Sequence, residues 1–447
     1  ILLALTSVLL WAALVSACKP ESRSQALQPT VTSATLPTST ATVASATLAI
    51  TATSAFPKPP ACQFTGTAST ATSQSAASYT FSEPQVVFTS TTKEVRSIYG
   101  WQSDNVHLMT NGYDEDTERF TVEILDTQTG ESHRYAERQA DYWAGWLPQQ
   151  QALAYVDSEP INAAIGTVRR DLWISRGDPS QAERIVSGVN DKALAIDTAG
   201  RLTFFTQDQS DQPSGSQLQR LDIAAQAKQV TSLDLAQWDF SDSSPTTQES
   251  QVENRRIYST WRPGQVSQVM LNMTDSGMLL ADTQTGKICR IEIRQLDKPL
   301  SGSLATWSPD GQHLAMLVRP TVSEGEVQRH LAVLDMNTGQ PYFPDLGPGD
   351  ILDMEWGADS QHLTALTQVD QSSAPNDVIH KLYLIDVSSQ TVQQMLPNAT
   401  IGGGSGGWGE MSWSPDGRLL AIKCPIWPRG QLITKDRICL ITTSKTP

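Results

Sequence analysis

Several groups in this chain have residue types that could do chemistry, and each can be judged by its spacing. Gly403-Gly-Ser405-Gly-Gly407 has the Gly-x-Ser-x-Gly pattern of a serine nucleophile on a tight turn. That chemistry needs a strand before the serine, a helix after it, and an acid and a histidine downstream. No helical pattern follows this run and no histidine lies after His380, so it reads as a loop. It is no phosphate cradle either, because no Lys-Ser/Thr pair and helix follow. The chain has 6 histidines. His107, His313 and His362 each stand six residues after a tryptophan, and a fixed register of this kind marks a structural slot beside a turn. His133, His330 and His380 lack ligand spacing. Asp114-Glu-Asp116 lacks the calcium-loop pattern and reads as a solvated connection. No Cys-x-x-Cys occurs, which argues against a thiolate metal site. The sequence therefore assigns no catalytic, cofactor-binding or metal-binding residue. The chain is expected to have no cofactor and to be no enzyme.

The elements that would position any site are clearer. Trp-Ser-Pro-Asp-Gly occurs twice, at Trp307–Gly311 and Trp413–Gly417. Proline sets the second turn position, and Asp and Gly suit those after it. Worn copies begin at Trp101, Trp146, Trp261 and Trp356, and a further one at Ile196 has lost its tryptophan. The copies lie 45 to 65 residues apart. Seven residues after the tryptophan stands an apolar anchor, Leu108, Leu153, Leu314, Leu363 or Leu420. About two dozen residues beyond each turn comes a second motif, as in Leu125-Asp-Thr-Gln-Thr-Gly, Ala281-Asp-Thr-Gln-Thr-Gly and Leu334-Asp-Met-Asn-Thr-Gly. An apolar run, then Asp and polar residues, then Gly is a hairpin signal. Each unit thus reads as four strands, and four-stranded sheets repeated radially make a β-propeller.

The Trp-Ser-Pro-Asp-Gly turn and the Leu-Asp-x-x-Thr-Gly hairpin together resemble the WD-repeat-like propeller units of the TolB family. Such units also occur in the propeller domains of prolyl-oligopeptidase-type peptidases. The resemblance covers roughly residues 80 to 445 and implies an all-β fold of about seven blades, with six as the alternative. It is specific for fold and poor for function, since one scaffold hosts many tasks. The peptidases' α/β-hydrolase domain is not expected here. The spare strand Gln85-Val-Val-Phe-Thr is expected to pair beside Ile438–Ile441 and close the ring, which would remove an exposed edge.

Residues 1–17 are almost wholly apolar and end in Val15-Ser-Ala-Cys18. The segment resembles a bacterial lipoprotein signal with its lipobox, truncated at its start, and implies lipid on Cys18. Residues 18–77 are rich in Ser, Thr, Ala and Pro, too polar to offset the entropy of ordering. They are expected to form a disordered stalk ahead of a propeller at 78–447. An extracytoplasmic, lipid-anchored protein of the cell envelope follows. Of 5 cysteines, Cys424 and Cys439 fall on neighbouring strands of the last blade and form a candidate disulfide. Cys62 and Cys289 are left without an argument joining them. A formal charge of −15 argues against nucleic-acid binding, which needs a basic face.

One positive functional signal is loop length. The connections between second and third strands, among them Asn111–Arg119, Asp157–Arg170 and Lys423–Asp436, look long and unlike one another, as does the inter-blade stretch Leu235–Arg256. Variable loops on a rigid scaffold often carry binding. Trp408, Trp427, Trp238 and Asp116 are the candidate partner-binding face. The expected function is a monomeric, surface-anchored propeller that binds a protein, peptide or glycan without catalysis. The alternatives are a propeller hydrolase or lyase with its site at the central channel mouth, and a structural envelope component.

Overall fold

The computed structural model describes residues 58–64 and, with interruptions chiefly between strands, 79–445. Among the described residues there are 29 strands and one short 3-10 turn at Pro179–Gln181. Six four-stranded antiparallel sheets follow one another, within 93–138, 144–187, 195–234, 257–291, 305–342 and 350–395. Each is wound in chain order, first strand to fourth. A further sheet is built from both ends of the described chain. It holds Met411–Trp413, Leu419–Lys423 and Arg437–Lys445, and the last of these also pairs with Tyr79–Phe81 and Gln85–Thr89. First strands of successive sheets touch: Ala305–Trp307 meets Asp350–Trp356, which meets Met411–Trp413, which meets Lys93–Trp101. Sheets whose first strands converge in this way form a β-propeller.

The repeated pentapeptide builds its turn with side chains. Ser308 Oγ accepts the His313 N–H at 2.9 Å and donates to Asp310 Oδ1 at 2.6 Å, while Asp310 Oδ1 accepts the Gln312 N–H at 3.0 Å. Ser414 and Asp416 repeat the pattern. The fifth position is left-handed, with φ +69° at Gly311 and +70° at Gly417. That conformation explains the glycine, and the worn copies place Asn105 and Ser360 there instead. In the second motif the aspartate caps its own turn. Asp126 Oδ1 accepts from Gln128 N and Thr129 N, and Asp282 Oδ1 accepts from Gln284 N and Thr285 N. Backbone bonds from Thr127 to Val106, from Met336 to Gln312 and from Val387 to Gln361 tie the two turns of a unit together on one face.

The conserved-register residues pack the sheets. Leu108, Leu153, Leu314, Leu363 and Leu420 are all fully buried, each worth about 1.5–3 kcal/mol on burial. The tryptophans reach across to the preceding sheet. Trp356 Nε1 donates to Thr306 O at 3.1 Å, Trp413 Nε1 to Thr364 Oγ1 at 2.9 Å, and Trp261 Nε1 to Thr203 Oγ1. Trp101 Nε1 donates to Ser412 O at 3.0 Å and Asp416 N to Asn105 Oδ1 at 2.9 Å, so the same joint links the closing sheet to the first.

Gln85–Thr89 lies against Arg437–Leu440, and Tyr79–Phe81 extends the same edge toward Lys445. Two disulfides are present. Cys424–Cys439 lies inside the closing sheet with Cα atoms 5.7 Å apart. Cys62–Cys289 joins residues 227 apart in sequence. Within the stretch expected as a stalk, residues 58–64 are thus held on the outer strand Lys287–Ile291. Ala61 bridges Arg290, and the side chain of Phe64 lies over Gly339. The rest of that stretch, like Cys18, lies outside the described residues.

Two connections read as long loops are mostly strand. Asn111–Asp114 pairs with Arg119–Val122, leaving a short turn. Ser158–Asn162 pairs with Thr167–Arg170. Polar side chains hid this pairing. In the second hairpin Arg169 bonds Glu159 on the opposite strand and Asp171 on its own, so these strands extend past their apolar core on ion pairs.

Candidate functional site at the channel mouth and the short-turn face

Perturbed titratable groups gather between the sheet of 350–395 and the closing sheet. The first is Glu355, on the first strand of its sheet, one residue before Trp356. Burial pushes its carboxyl up to about 8, and the negative charge of Asp353 adds to the rise. Its side chain is only partly covered, yet desolvation dominates its chemistry. That combination fits a wall facing a narrow internal channel, where little solvent reaches. Residues two apart on a strand share a face, so Asp353 and Glu355 point the same way. Ser412, on the first strand of the closing sheet, places its hydroxyl 3.5 Å from Glu355 Oε1. Asp353 is fixed by accepting N–H bonds from Met354 at 2.9 Å and Met411 at 3.2 Å. Gly100, on the first strand of the next sheet, faces Ser412. A protonated carboxylic acid beside a held carboxylate is the arrangement that serves as a proton donor near neutral pH.

A second group lies on the face of the short turns. A cavity of about 380 Å³ opens between the two sheets. His362 stands in its wall and is 6% exposed. Its Nδ1 lies 2.5 Å from Asp359 Oδ2 and 3.3 Å from the Tyr79 hydroxyl. Its Nε2 has no hydrogen-bond partner and lies 3.8 Å from Asp386 Oδ2. Burial, then the charges of Asp359 and Asp386, push the Tyr79 hydroxyl up to about 12. Burial raises Asp359, but bonds from His362 and nearby backbone N–H groups outweigh it and hold the carboxyl below its usual range.

The histidine slot explains itself here. In Trp-Ser-Pro-Asp-Gly the aspartate bonds the turn serine. Where that serine is missing, the aspartate carboxylate holds the histidine instead, at 2.6 Å for Asp104–His107 and 2.5 Å for Asp359–His362. His313, in a copy that keeps its serine, stacks on Trp356 with ring centroids 6.0 Å apart, and burial lowers its pKa.

Of the expected partner-binding residues, Trp408, Trp427 and Trp238 lie outside the described residues, as does Gly403–Gly407. Asp116 is exposed in the turn after Asp114, its N–H bonded to Asp114 Oδ1 at 3.1 Å. The structure does not bring it near Glu355 or His362 through any bond. Among the described residues no group of three His, Cys, Asp or Glu could hold a metal ion. Glu355 escaped the sequence reading, although a signal existed. The residue before the repeat tryptophan is Gly100, Gly145, Thr260, Thr306 or Ser412 in the other copies, and Glu355 alone is ionisable.

No protein-family model matches the sequence, and no match to a curated protein was found. Solved structures do match in fold. An oligogalacturonate lyase from Vibrio parahaemolyticus superposes with a TM-score of 0.54 at 13% identity, covering 82% of this chain and 98% of its own. A GH74 enzyme from Niastella koreensis gives a TM-score of 0.50 at 11% identity over 76% of this chain and 52% of its own. TolB from Acinetobacter baumannii superposes with a TM-score of 0.39 at 14% identity over 68% of this chain and 63% of its own, an overlap too partial to argue from. These identities speak to fold, and the chain is an all-β propeller. They also overturn the expectation of a binding propeller without catalysis. Of the structures named above, those with a TM-score of 0.50 or more are an oligogalacturonate lyase and a GH74 enzyme, which favours the hydrolase-or-lyase alternative over that expectation.

Proposed function

We propose that this propeller is a carbohydrate-cleaving enzyme, a hydrolase or lyase, with its proton donor at the channel mouth. The observation that carries the reading is Glu355, whose carboxyl stays protonated to about pH 8 beside Asp353. Breaking a glycosidic bond by hydrolysis or by elimination leaves an oxygen that must take up a proton. Glu355 gives that proton to the oxygen as its C–O bond breaks and becomes a carboxylate; in hydrolysis water adds to the sugar carbon and releases a proton, in elimination the sugar loses a C–H proton to water, and in either case a proton returns to Glu355 through water. Asp353 is a positioning residue: its charge keeps the proton on Glu355, and its backbone bonds keep it in place. Ser412 offers its hydroxyl to Glu355 and steadies the ionised form. The lyase and GH74 folds named above support a glycan substrate.

The test is turnover of a panel of plant and bacterial polysaccharides, read as new reducing ends and as absorbance of unsaturated products. Glu355→Gln should lower the rate on the active member by at least about a hundredfold, the usual contribution of general acid catalysis. A variant that keeps wild-type turnover would exclude Glu355 as donor. Absence of turnover by the wild type across the panel would remove the enzyme reading.

Three structural and cellular features complete the proposal. The closing sheet serves as a seventh blade, sealed by the N-terminal strands at 79–89. Cys18 carries lipid, and the protein sits at the bacterial cell envelope. The stretch before residue 58 tethers the propeller, with the Cys62–Cys289 disulfide fixing where the tether leaves it.

A further inference from the structure

The two disulfides stand in different surroundings. Cys424 and Cys439 are both fully buried in the closing sheet. Cys62 and Cys289 are only half-buried, so an attacking thiol can reach their bond, and thiol–disulfide exchange depends on that access. Cys62 belongs to a strap, residues 58–64, laid along the outer strand Lys287–Ile291. Among the described residues, few other contacts hold the strap. Cys62 N–H donates to Arg290 O at 2.9 Å, and Arg290 N–H donates to Pro60 O at 2.7 Å. Pro59 is buried. Phe64 packs with Cys62 against the cluster of Trp307, Leu334 and Met336. Its ring lies over Gly339, where a Cβ would stand 2.5 Å from it. Fixing the backbone of one residue costs as much as a net hydrogen bond contributes, or more. Two backbone bonds and one ring serve the whole of 58–64, so the covalent bond is what keeps the strap in place.

We propose that Cys62–Cys289 is a reducible clasp that controls this strap and, through it, the leading end of the closing strand Tyr79–Phe81. The reductant is a dithiol. Its first thiolate attacks one sulfur, forming a mixed disulfide and expelling one cysteine as thiolate. Its second thiolate attacks the mixed disulfide and expels the other cysteine. The two cysteines take up the protons that the dithiol gave up, so two thiols and an oxidised dithiol result. Cys424–Cys439 is out of reach and stays oxidised, so the closing sheet keeps its own cross-link. Tyr79–Phe81 follows the strap in the chain and pairs at three positions, Tyr79 with Lys445, Thr80 with Ser444 and Phe81 with Thr443. With the clasp shut, that strand is held from both sides, by Cys62 before it and by Gln85–Thr89 after it. With the clasp open, the preceding chain leaves the propeller at Tyr79 instead of Cys62. The strand then has a free leading end, and its opening gains the freedom of a longer arm. Release also bares the edge of Lys287–Ile291, and a bare edge is a template for strand addition. The clasp is independent of the proton donor, whereas its hold on Tyr79–Phe81 rests on the reading of 79–89 as the ring seal.

The experiment treats the folded full chain with dithiothreitol and no denaturant, blocks free thiols with N-ethylmaleimide and maps them by mass. Cys62 and Cys289 should be labelled at least about tenfold sooner than Cys424 and Cys439. Hydrogen exchange is then compared before and after reduction. Amides of 58–64 and of Arg290 should exchange roughly tenfold faster or more, those of 79–81 about threefold, and those of the core strand His330–Asp335 at an unchanged rate. The double variant Cys62→Ser/Cys289→Ser should show the same fast exchange without reductant. Should that variant fail to fold, the reduced wild type carries the same reading. Phe64→Ala should leave the oxidised strap protected and speed its exchange further once the clasp is open. Equal labelling of the two disulfides, or a strap as protected after reduction as before, would overturn the clasp. So would lost protection in His330–Asp335, because reduction would then be unfolding the ring. Faster exchange of 58–64 with 79–81 unmoved would leave the clasp and remove its hold on the closing strand. Free exchange of 79–81 in the oxidised chain would remove the ring seal and leave the clasp standing.

Discussion

Replacing Glu355 by Gln should make the protein more stable at alkaline pH, and the size follows from its surroundings. The folded protein holds the Glu355 proton to about pH 8, against an ordinary value of 4.5. The unfolded chain releases it near that ordinary value. Between the two, the folded state binds more protons, so stability falls as pH rises through the window. Below about 4.5 both states are protonated and the residue contributes nothing. Above about 8 both are ionised and the cost is complete. Integrating the linkage from pH 5 to pH 8 gives a loss of about 3 to 4 kcal/mol, a large part of the roughly 5–15 kcal/mol that holds a domain folded. Gln keeps the shape and cannot ionise, so the variant escapes the loss. Urea unfolding of wild type and variant at pH 5 and at pH 8 reads it directly. The gap between them should widen by about 3 kcal/mol at the higher pH. Parallel behaviour of the two proteins, within about 1 kcal/mol, would refute a buried, proton-holding Glu355 and with it the proposed donor. Since Gln also removes the acid, a variant gaining stability while losing turnover fits a functional site held at a cost in stability.

Asp353→Asn keeps an acceptor for the Met411 N–H but removes the charge that raises Glu355, so the alkaline limb of the pH–rate profile should move down by about one pH unit; an unmoved limb would exclude the positioning role. Trp356→Phe removes the indole N–H that bonds Thr306 O across two sheets, and should cost about 1–3 kcal/mol in chemical unfolding. Gly311→Ala puts a Cβ 2.3 Å from Pro263 O at a φ of +69°, so it should destabilise by more than about 1 kcal/mol, where Gly264→Ala meets no neighbour and suffers the backbone strain alone. Cys18→Ala in the full precursor should abolish incorporation of labelled palmitate, and undiminished labelling would remove the lipid anchor.

What could be read from the sequence was what repeats. Trp-Ser-Pro-Asp-Gly encodes its own turn through Ser308, Asp310 and Gly311, a closed set of local hydrogen bonds that needs no tertiary partner. The leucine seven residues on is buried in every copy that has it, so its register was visible as a period. The closing strand was legible for a related reason, because Arg437–Ile441 would otherwise present a bare edge. Contacts made once were not legible. Cys62 and Cys289 are 227 residues apart, and nothing local distinguishes their pairing from any other. The hairpin at 158–170 looked like a loop because Arg169 pairs with Glu159 across it, and a charged run reads as solvent-facing until the opposite charge is seen on the other strand; the one at 111–122 is short and mixed, with Tyr113 set against Phe120 and polar residues around them.

Function in a chain of this kind can sit where one repeat departs from the others. Trp238, Trp408 and Trp427 fall in long, variable connections of the sequence, whereas tight repeated turns read as scaffold. At three places the scaffold departs from itself. Glu355 stands where the other copies carry Gly, Thr, Ser or, before Ile196, Ala. Asp359 lacks the turn serine that would occupy it, and so turns its second oxygen to His362. Tyr79 adds a ring from outside the repeat to the same histidine. Each departure costs the fold something: a carboxyl kept out of water, an imidazole nitrogen left without a partner, an extra strand to order. The turn would have been made more simply with Ser, as at Ser308 and Ser414. All three departures meet at one sheet boundary, Glu355 and Asp359 on the 350–395 side and Tyr79 on the closing sheet. The aspartate–histidine exchange recurs at Asp104 and His107, so the structural argument for placing the chemistry at this boundary is the ionisable Glu355 and the added ring of Tyr79.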